Sequence, residues 1–408
     1  MNAYLKKTVS KFLPILLVIL ISIVGFDYPV LHSAEERQTF AFNSNSSYWP
    51  TQNWKTSIPE EQGMDSTMLA SMFDEMSEVA FDHTIYGILI VRNGYIVAEA
   101  YHHGHGKDTL YKIYSSTKSV TSALFGIARS KGYISNLDQS VVGYFPELKI
   151  KDFELKKHIT LKHLLTMSSG LEWPELEFSY ANSKNPAIGM FGSENLVKYV
   201  LDKPMSKQAG SEFNYNSGCP QLLVEIIHTR TGNSLEFAKK NLFSPLGISN
   251  FRWDLAPGEK INGSHGLEMS IREMAKIGYL YLKGGQWEGQ QIIPKGWVEE
   301  STTAHVKKSG KRPISSTPYY GYLWYIHPSY FHSTGYQGQF IFVMPKHEMV
   351  VVFTSALTDR QYSYIPHLVE HYIIPSAKDI KPIPKNSKAE ELLNSKIKNF
   401  NTGWRKEE

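Results

Sequence analysis

Apolar residues at Met68, Leu69, Met72, Met76 and Val79 recur on one face of a 3.6-residue repeat, which predicts a helix over Met64 to Val79, capped near Asp65-Ser66 and lying outside a sheet. Two β-rich runs follow, Ile85 to Val91 and Tyr95 to Tyr101, joined through Arg92-Asn93-Gly94. Asn-Gly between such runs is the strongest short-range hairpin signal. A matching pair lies far downstream: Phe340 to Met344 and Met349 to Thr354 flank Pro345-Lys346-His347-Glu348 and precede an amphipathic stretch from Tyr362 to Ile374. The middle of the chain, roughly 115–300, is helix-rich. Strands near both ends around such a middle predict an α+β fold: an antiparallel sheet built from the two chain ends, flanking helices, and an inserted helical lobe. A cleft is expected where sheet and lobe meet.

The flanking regions differ in composition. Lys6, Lys7 and Lys11 precede the apolar run Phe12 to Phe26 and a polar stretch holding Ser33-Ala34, the layout of a secretory leader. Residues 1–34 are therefore expected to act as a signal peptide cut near Ala34 or, because His32 is an awkward residue before such a cut, as a retained N-terminal membrane anchor. Either way the protein is expected outside the cytoplasm, secreted or held on the outer face of a bacterial cytoplasmic membrane. Residues 35–56 read as an aromatic linker that wraps onto the domain, 57–380 as the folded domain, and 381–408 as a polar, solvated C-terminal tail. The formal net charge is +4. It falls to about +2 without the leader, too little to grip a phosphate backbone, so nucleic acid is not an expected partner. Cys219 is the single cysteine, so no intramolecular disulfide can form.

Ser-x-x-Lys occurs at Ser115-Ser116-Thr117-Lys118 and again at Ser395 to Lys398, about as often as composition alone allows. The second copy lies in the polar tail. The first opens the segment Lys118 to Ser130, whose Val120, Ala123, Leu124 and Ile127 make a buried helical face. A serine at a helix N-terminus faces free N–H groups that stabilise a developing oxyanion, and a lysine three residues on lies one turn away. Desolvation would lower that lysine's pKa until a neutral amine could take the serine proton. The competing reading has Ser115, Ser116 and Thr117 as N-caps and Lys118 on the surface. Tyr215, in Phe213-Asn214-Tyr215-Asn216-Ser217-Gly218 just before the apolar run Leu222 to Ile227, could pass a proton to a leaving group or simply pack. Residues 331–340 carry Gly335 and Gly338 ahead of a strand, where an edge strand could approach a substrate closely. His102-His103-Gly104-His105 lacks an acidic or cysteine partner at metal-binding spacing and reads as a loop, so no metal or cofactor is expected.

Taken in order, Tyr114 to Ser119, Thr160 to Gly170, Phe213-x-Tyr215-x-Ser217 and Gly335-Tyr336-x-Gly338-Gln339 resemble the β-lactamase-related serine hydrolases, a group holding class C β-lactamases, D,D-peptidases, family VIII esterases and 6-aminohexanoate-dimer hydrolases. The likeness runs from about Trp54 to Ala356. It implies Ser115 as acylated nucleophile, Lys118 as general base, Tyr215 as proton shuttle, and the N–H groups of Ser115 and Tyr336 as oxyanion hole. It also places Ser217, Ser333, Thr334 and Gly335 at the substrate, with Trp173 and Tyr180 on an overhanging loop as an apolar wall, core packing being the alternative for those two. Two departures bear on substrate. Ser333-Thr334-Gly335 stands where β-lactam-recognising members carry Lys-Thr-Gly, and Tyr215-Asn216-Ser217 where they carry Tyr-x-Asn. The missing cation and amide donor point away from β-lactams and D,D-peptides toward small esters and short amides. A non-enzymatic binding or sensor protein on the same fold, or a weak β-lactamase or D,D-peptidase, remains the alternative.

Overall fold

The computed structural model describes residues 39–46, 48–79, 84–308, 317–358 and 361–403, so the expected leader, 1–34, lies outside the described residues. An eight-stranded antiparallel sheet organises the molecule: β1 (Ile85–Arg92), β2 (Tyr95–Tyr101), β3 (Val306–Lys307), β4 (Tyr319–Tyr320), β5 (Tyr325–Ile326), β6 (Phe331–Gly335), β7 (Gln339–Met344) and β8 (Met349–Ser355). The spatial order is β3-β4-β5-β6-β7-β8-β1-β2. The hairpin at Asn93-Gly94 and the downstream pair form as expected, and β1 joins β8 along its whole length, from Ile85 opposite Ser355 to Arg92 opposite Met349. The first and last parts of the domain thus meet in mid-sheet.

Both faces of the sheet are covered, which is why its strands read as nearly continuous apolar runs. Alternate side chains feed two cores. Phe340, Phe342, Val351 and Phe353 face α1 (Ser66–Glu78), while Ile341, Val343, Val350 and Val352 face the lobe side. Asp65 caps α1 by accepting from the Thr67 amide. On the lobe side, α2 (Thr117–Ser130) and α3 (Gly218–Thr231) pack on each other, and α4 (Ile271–Leu282) lies directly on β7, β8 and β1. A side chain at Gly278 of α4 would meet Val350 and Ile341 at under 3 Å, so glycine there sets the helix-to-sheet distance. The helical region 115–300 is therefore not all lobe, because α4 belongs to the sheet layer.

Two further expectations need correcting. The polar tail contains a 16-residue helix, α5 (Ser387–Thr402), whose Ala389, Leu393 and Phe400 are buried against α1 and β2. Its charged positions hid three apolar anchors spaced at four and seven residues. The histidine loop serves this docking: buried His102 donates through Nδ1 to the Phe400 carbonyl at 2.7 Å. The strand carrying Gly335 is also not at the sheet edge. β5 pairs only with Phe331 and His332, however, so Ser333 to Gly335 keep a side turned to the start of α2. The described part of the 35–56 segment, 39–46 and 48–56, wraps onto the domain, with Phe40, Phe42, Trp49 and Trp54 packed on the lobe-side core. Among the described residues no helix is long and apolar enough to cross a membrane.

Candidate active site

Ser115 sits in a 3-10 turn, Tyr114–Ser116, that runs straight into α2. Tyr114 has φ +45°, a left-handed conformation costing a non-glycine residue roughly 1–2 kcal/mol. That strain delivers the next side chain, half-buried Ser115, to the mouth of the helix. Capping does not explain the serine cluster, because neither the turn nor α2 receives a side-chain cap. Ser116 instead donates to the Gln339 carbonyl at 3.1 Å and accepts from Ser333 at 3.0 Å, fastening the turn to β6 and β7.

Lys118 is buried rather than on the surface. Its Nζ lies 2.8 Å from Ser115 Oγ and 2.8 Å from the Ser264 carbonyl oxygen, and 4.9 Å from the centre of the Tyr215 ring. Burial lowers its pKa from 10.5 to about 8, partly opposed by the nearby Glu175 carboxylate. Tyr215 is buried as well, and burial, reinforced by Tyr325, Tyr180 and Glu175, pushes its phenol well above the ordinary value. A phenol held protonated can donate, and it cannot act as a resting base. The Thr160 to Gly170 block explains the position of Tyr215: the Met167 carbonyl accepts from the Asn214 amide at 2.7 Å and the Ser168 carbonyl from the Gly210 amide at 2.7 Å. Behind Lys118, Asn262, Ser264 and His265 form a closed hydrogen-bonded ring that fixes the Ser264 peptide. Burial and the neighbouring lysine hold His265 at about 4, hence neutral.

The end of β6 closes the other side. A Cβ at Gly335 would stand 2.1 Å from the Ile113 carbonyl, so only glycine lets the strand lie against the turn that carries Ser115. Ser115 and Tyr336 thus flank one junction between turn and strand. The expected substrate contacts divide here. Gly335 reaches the junction, but Ser333 and Thr334 turn their hydroxyls inward, onto Ser116 and onto His332 Nδ1 at 2.9 Å, and both are buried. Short hydroxyls satisfy one another inside where a lysine would have to reach out. Ser217 is likewise engaged, donating to Glu175 at 2.6 Å. Trp173 is not a cleft wall: it is 2% exposed, donates to Glu175 at 2.7 Å and packs edge-on against Tyr199. Tyr180 stays at the surface, 36% exposed, with its ring 5.5 Å from that of Tyr336.

Glu175 itself gives no sequence signal, since a glutamate after Trp-Pro in a polar loop reads as solvated. Among the described residues no group of three or more His, Cys, Asp or Glu side chains could hold a metal ion.

The family model for the Beta-lactamase family matches residues 69–366. The chain belongs to that family. An uncharacterized protein of Alkalihalophilus pseudofirmus is 25% identical over 343 residues, covering 73% of this chain and 94% of its own. Among solved structures, a chain described as a 6-aminohexanoate-dimer hydrolase from Bacillus anthracis superposes with a TM-score of 0.64 at 20% identity, covering 86% of this chain and 92% of that one. A family VIII carboxylesterase superposes with a TM-score of 0.57 at 15% identity, covering 84% and 98%. The chain has the fold of the serine β-lactamases, and it is a β-lactamase-family serine hydrolase.

Proposed function

We propose that this β-lactamase-family hydrolase is exported and cleaves small esters or short amides through an acyl-enzyme on Ser115. The observation that carries the reading is the 2.8 Å approach of a buried, pKa-lowered Lys118 amine to a half-buried serine hydroxyl. Neutral Lys118 takes the Ser115 proton as Oγ bonds to the substrate carbonyl carbon. The amides of Ser115 and Tyr336 receive the oxyanion. The proton then passes from Lys118 through the Tyr215 hydroxyl to the leaving alkoxide or amine, the bond to that group breaks, and the acyl chain remains on Ser115. Water adds to the ester so formed, returns its proton through the same groups to Ser115 Oγ, and frees the acid.

Two features favour esters and small amides over β-lactams. No lysine stands at 333 to orient a substrate carboxylate, and the Ser217 hydroxyl is committed to Glu175. Export rests on the leader pattern of residues 1–34. The test is a panel of a short p-nitrophenyl ester, a linear amide dimer and a chromogenic cephalosporin, run on wild type and Ser115→Ala. The ester is expected to turn over fastest, with a burst, and Ser115→Ala to lose at least about 1,000-fold in kcat. A cephalosporin turned over faster than the ester would refute the substrate assignment.

A further inference from the structure

Beside the turn that carries Tyr215, Glu175 is 1% exposed, and four donors converge on its carboxylate. Trp173 Nε1 at 2.7 Å and the Ser217 amide at 2.8 Å reach Oε2; the hydroxyls of Ser217 at 2.6 Å and Tyr180 at 2.8 Å reach Oε1. An indole N–H and a backbone N–H can only donate, so Oε2 is purely an acceptor, as in a carboxylate. A carboxylate offers about four lone-pair sites, and the four donors use them. Little capacity is left to draw a proton from water, which argues against a general-base role.

The same bonds tie the loop 173–180 to the turn that carries Tyr215. They set the Tyr180 ring against Tyr336, and Tyr336 lies edge-on to Tyr114 with centres 5.6 Å apart, next to Ser115. Tyr336 is 40% exposed, so this aromatic row forms a rim at the nucleophile. Among the described residues, the other titratable groups about the site add little lasting charge: burial lowers Lys308, whose amine lies 4.6 Å from the centre of the Tyr325 ring, to about 7. His265 is neutral, the Cys219 thiol is pushed up to about 12 by burial, and Lys112 faces Glu268 at 3.8 Å. Lys118 loses its charge in the form that accepts the serine proton. The reactive cleft then keeps the negative charge of Glu175 beside rings whose faces attract cations.

We propose that Glu175 is a positioning and specificity-determining residue: it holds the Tyr114–Tyr336–Tyr180 rim over Ser115 and gives the cleft a negative field that selects neutral or cationic acyl groups over carboxylate-bearing ones. This rests on the reading of Ser115 as nucleophile. The experiment compares kcat/KM for three p-nitrophenyl esters of similar length, the butyrate, the hemisuccinate and the 4-(trimethylammonio)butyrate, on wild type, Glu175→Gln and Tyr180→Phe. Wild type is expected to favour the cationic over the anionic ester by about tenfold or more, and Glu175→Gln to remove most of that ratio. Tyr180→Phe keeps the charge, so it should keep the ratio while raising KM for all three esters.

A Glu175→Gln enzyme that cleaves the butyrate with the ratio intact overturns the inference. So does a wild type that cleaves hemisuccinate as fast as the other two, a result that needs no variant to fold. Failure of the wild type on all three esters overturns the Ser115 reading, and this inference with it.

Discussion

Lys118 carries its amine wholly into the protein, and both activity and stability are expected to respond to that one group. Its lowered pKa predicts that kcat/KM rises with pH along a limb centred near 8, where the amine becomes neutral. A pH-rate profile on the butyrate ester checks this. The sign for stability is opposite to that of a salt-bridged lysine. The folded value lies below the unfolded 10.5, so below about pH 8 the fold bears the full cost of a buried charge, and above about 10.5 it bears none. Lys118→Met is therefore expected to abolish turnover yet raise unfolding stability by about 2–3 kcal/mol at pH 7, an advantage that fades as pH climbs from 8 to 10.5. Denaturant melts at pH 7 and 10.5 measure it. That Ser115, Lys118 and Tyr215 lie together could be read from the sequence because each is anchored to a helix start. Ser333, Thr334, Trp173 and Glu175 could not, since whether a short polar or aromatic side chain faces a cleft or the interior depends on partners up to a couple of hundred residues away.

The junction between the 3-10 turn and β6 is the element-level device on which the site depends. Gly335→Ala puts a methyl group into the Ile113 carbonyl and must move strand or turn. It is expected to cost at least tenfold in kcat on the butyrate ester and about 1–3 kcal/mol in stability, with KM changing less than kcat because the displaced groups act on the transition state. Strand pairing here was only partly readable. The apolar runs of β7 and β8 and the Asn-Gly hairpin announce themselves by composition and turn chemistry. The two-residue strands β3, β4 and β5 carry no periodicity, and without them β6 looks like an edge. The sheet's order depends on that short ribbon, which local pattern does not encode.

Across the whole molecule, the two chain ends close on each other: β1 on β8, and α5 on α1 and β2. The α+β class followed from where the strands fall in the chain. The docked α5 did not, because its anchors Ala389, Leu393 and Phe400 are outnumbered by lysine, glutamate and asparagine. Phe400→Ala should cost about 3–5 kcal/mol, as for other buried aromatics, with kcat on the ester nearly unchanged; thermal melts and rates on the same sample check both. All of these features serve one claim, that Ser115 is acylated with Lys118 as its base. Intact-mass analysis after a fluorophosphonate probe, with peptide mapping of the adduct, tests it most directly. A single adduct on Ser115 is expected, one that disappears in Ser115→Ala and forms far more slowly in Lys118→Met; an equal adduct in Ser115→Ala would rule out Ser115 as the acylated residue.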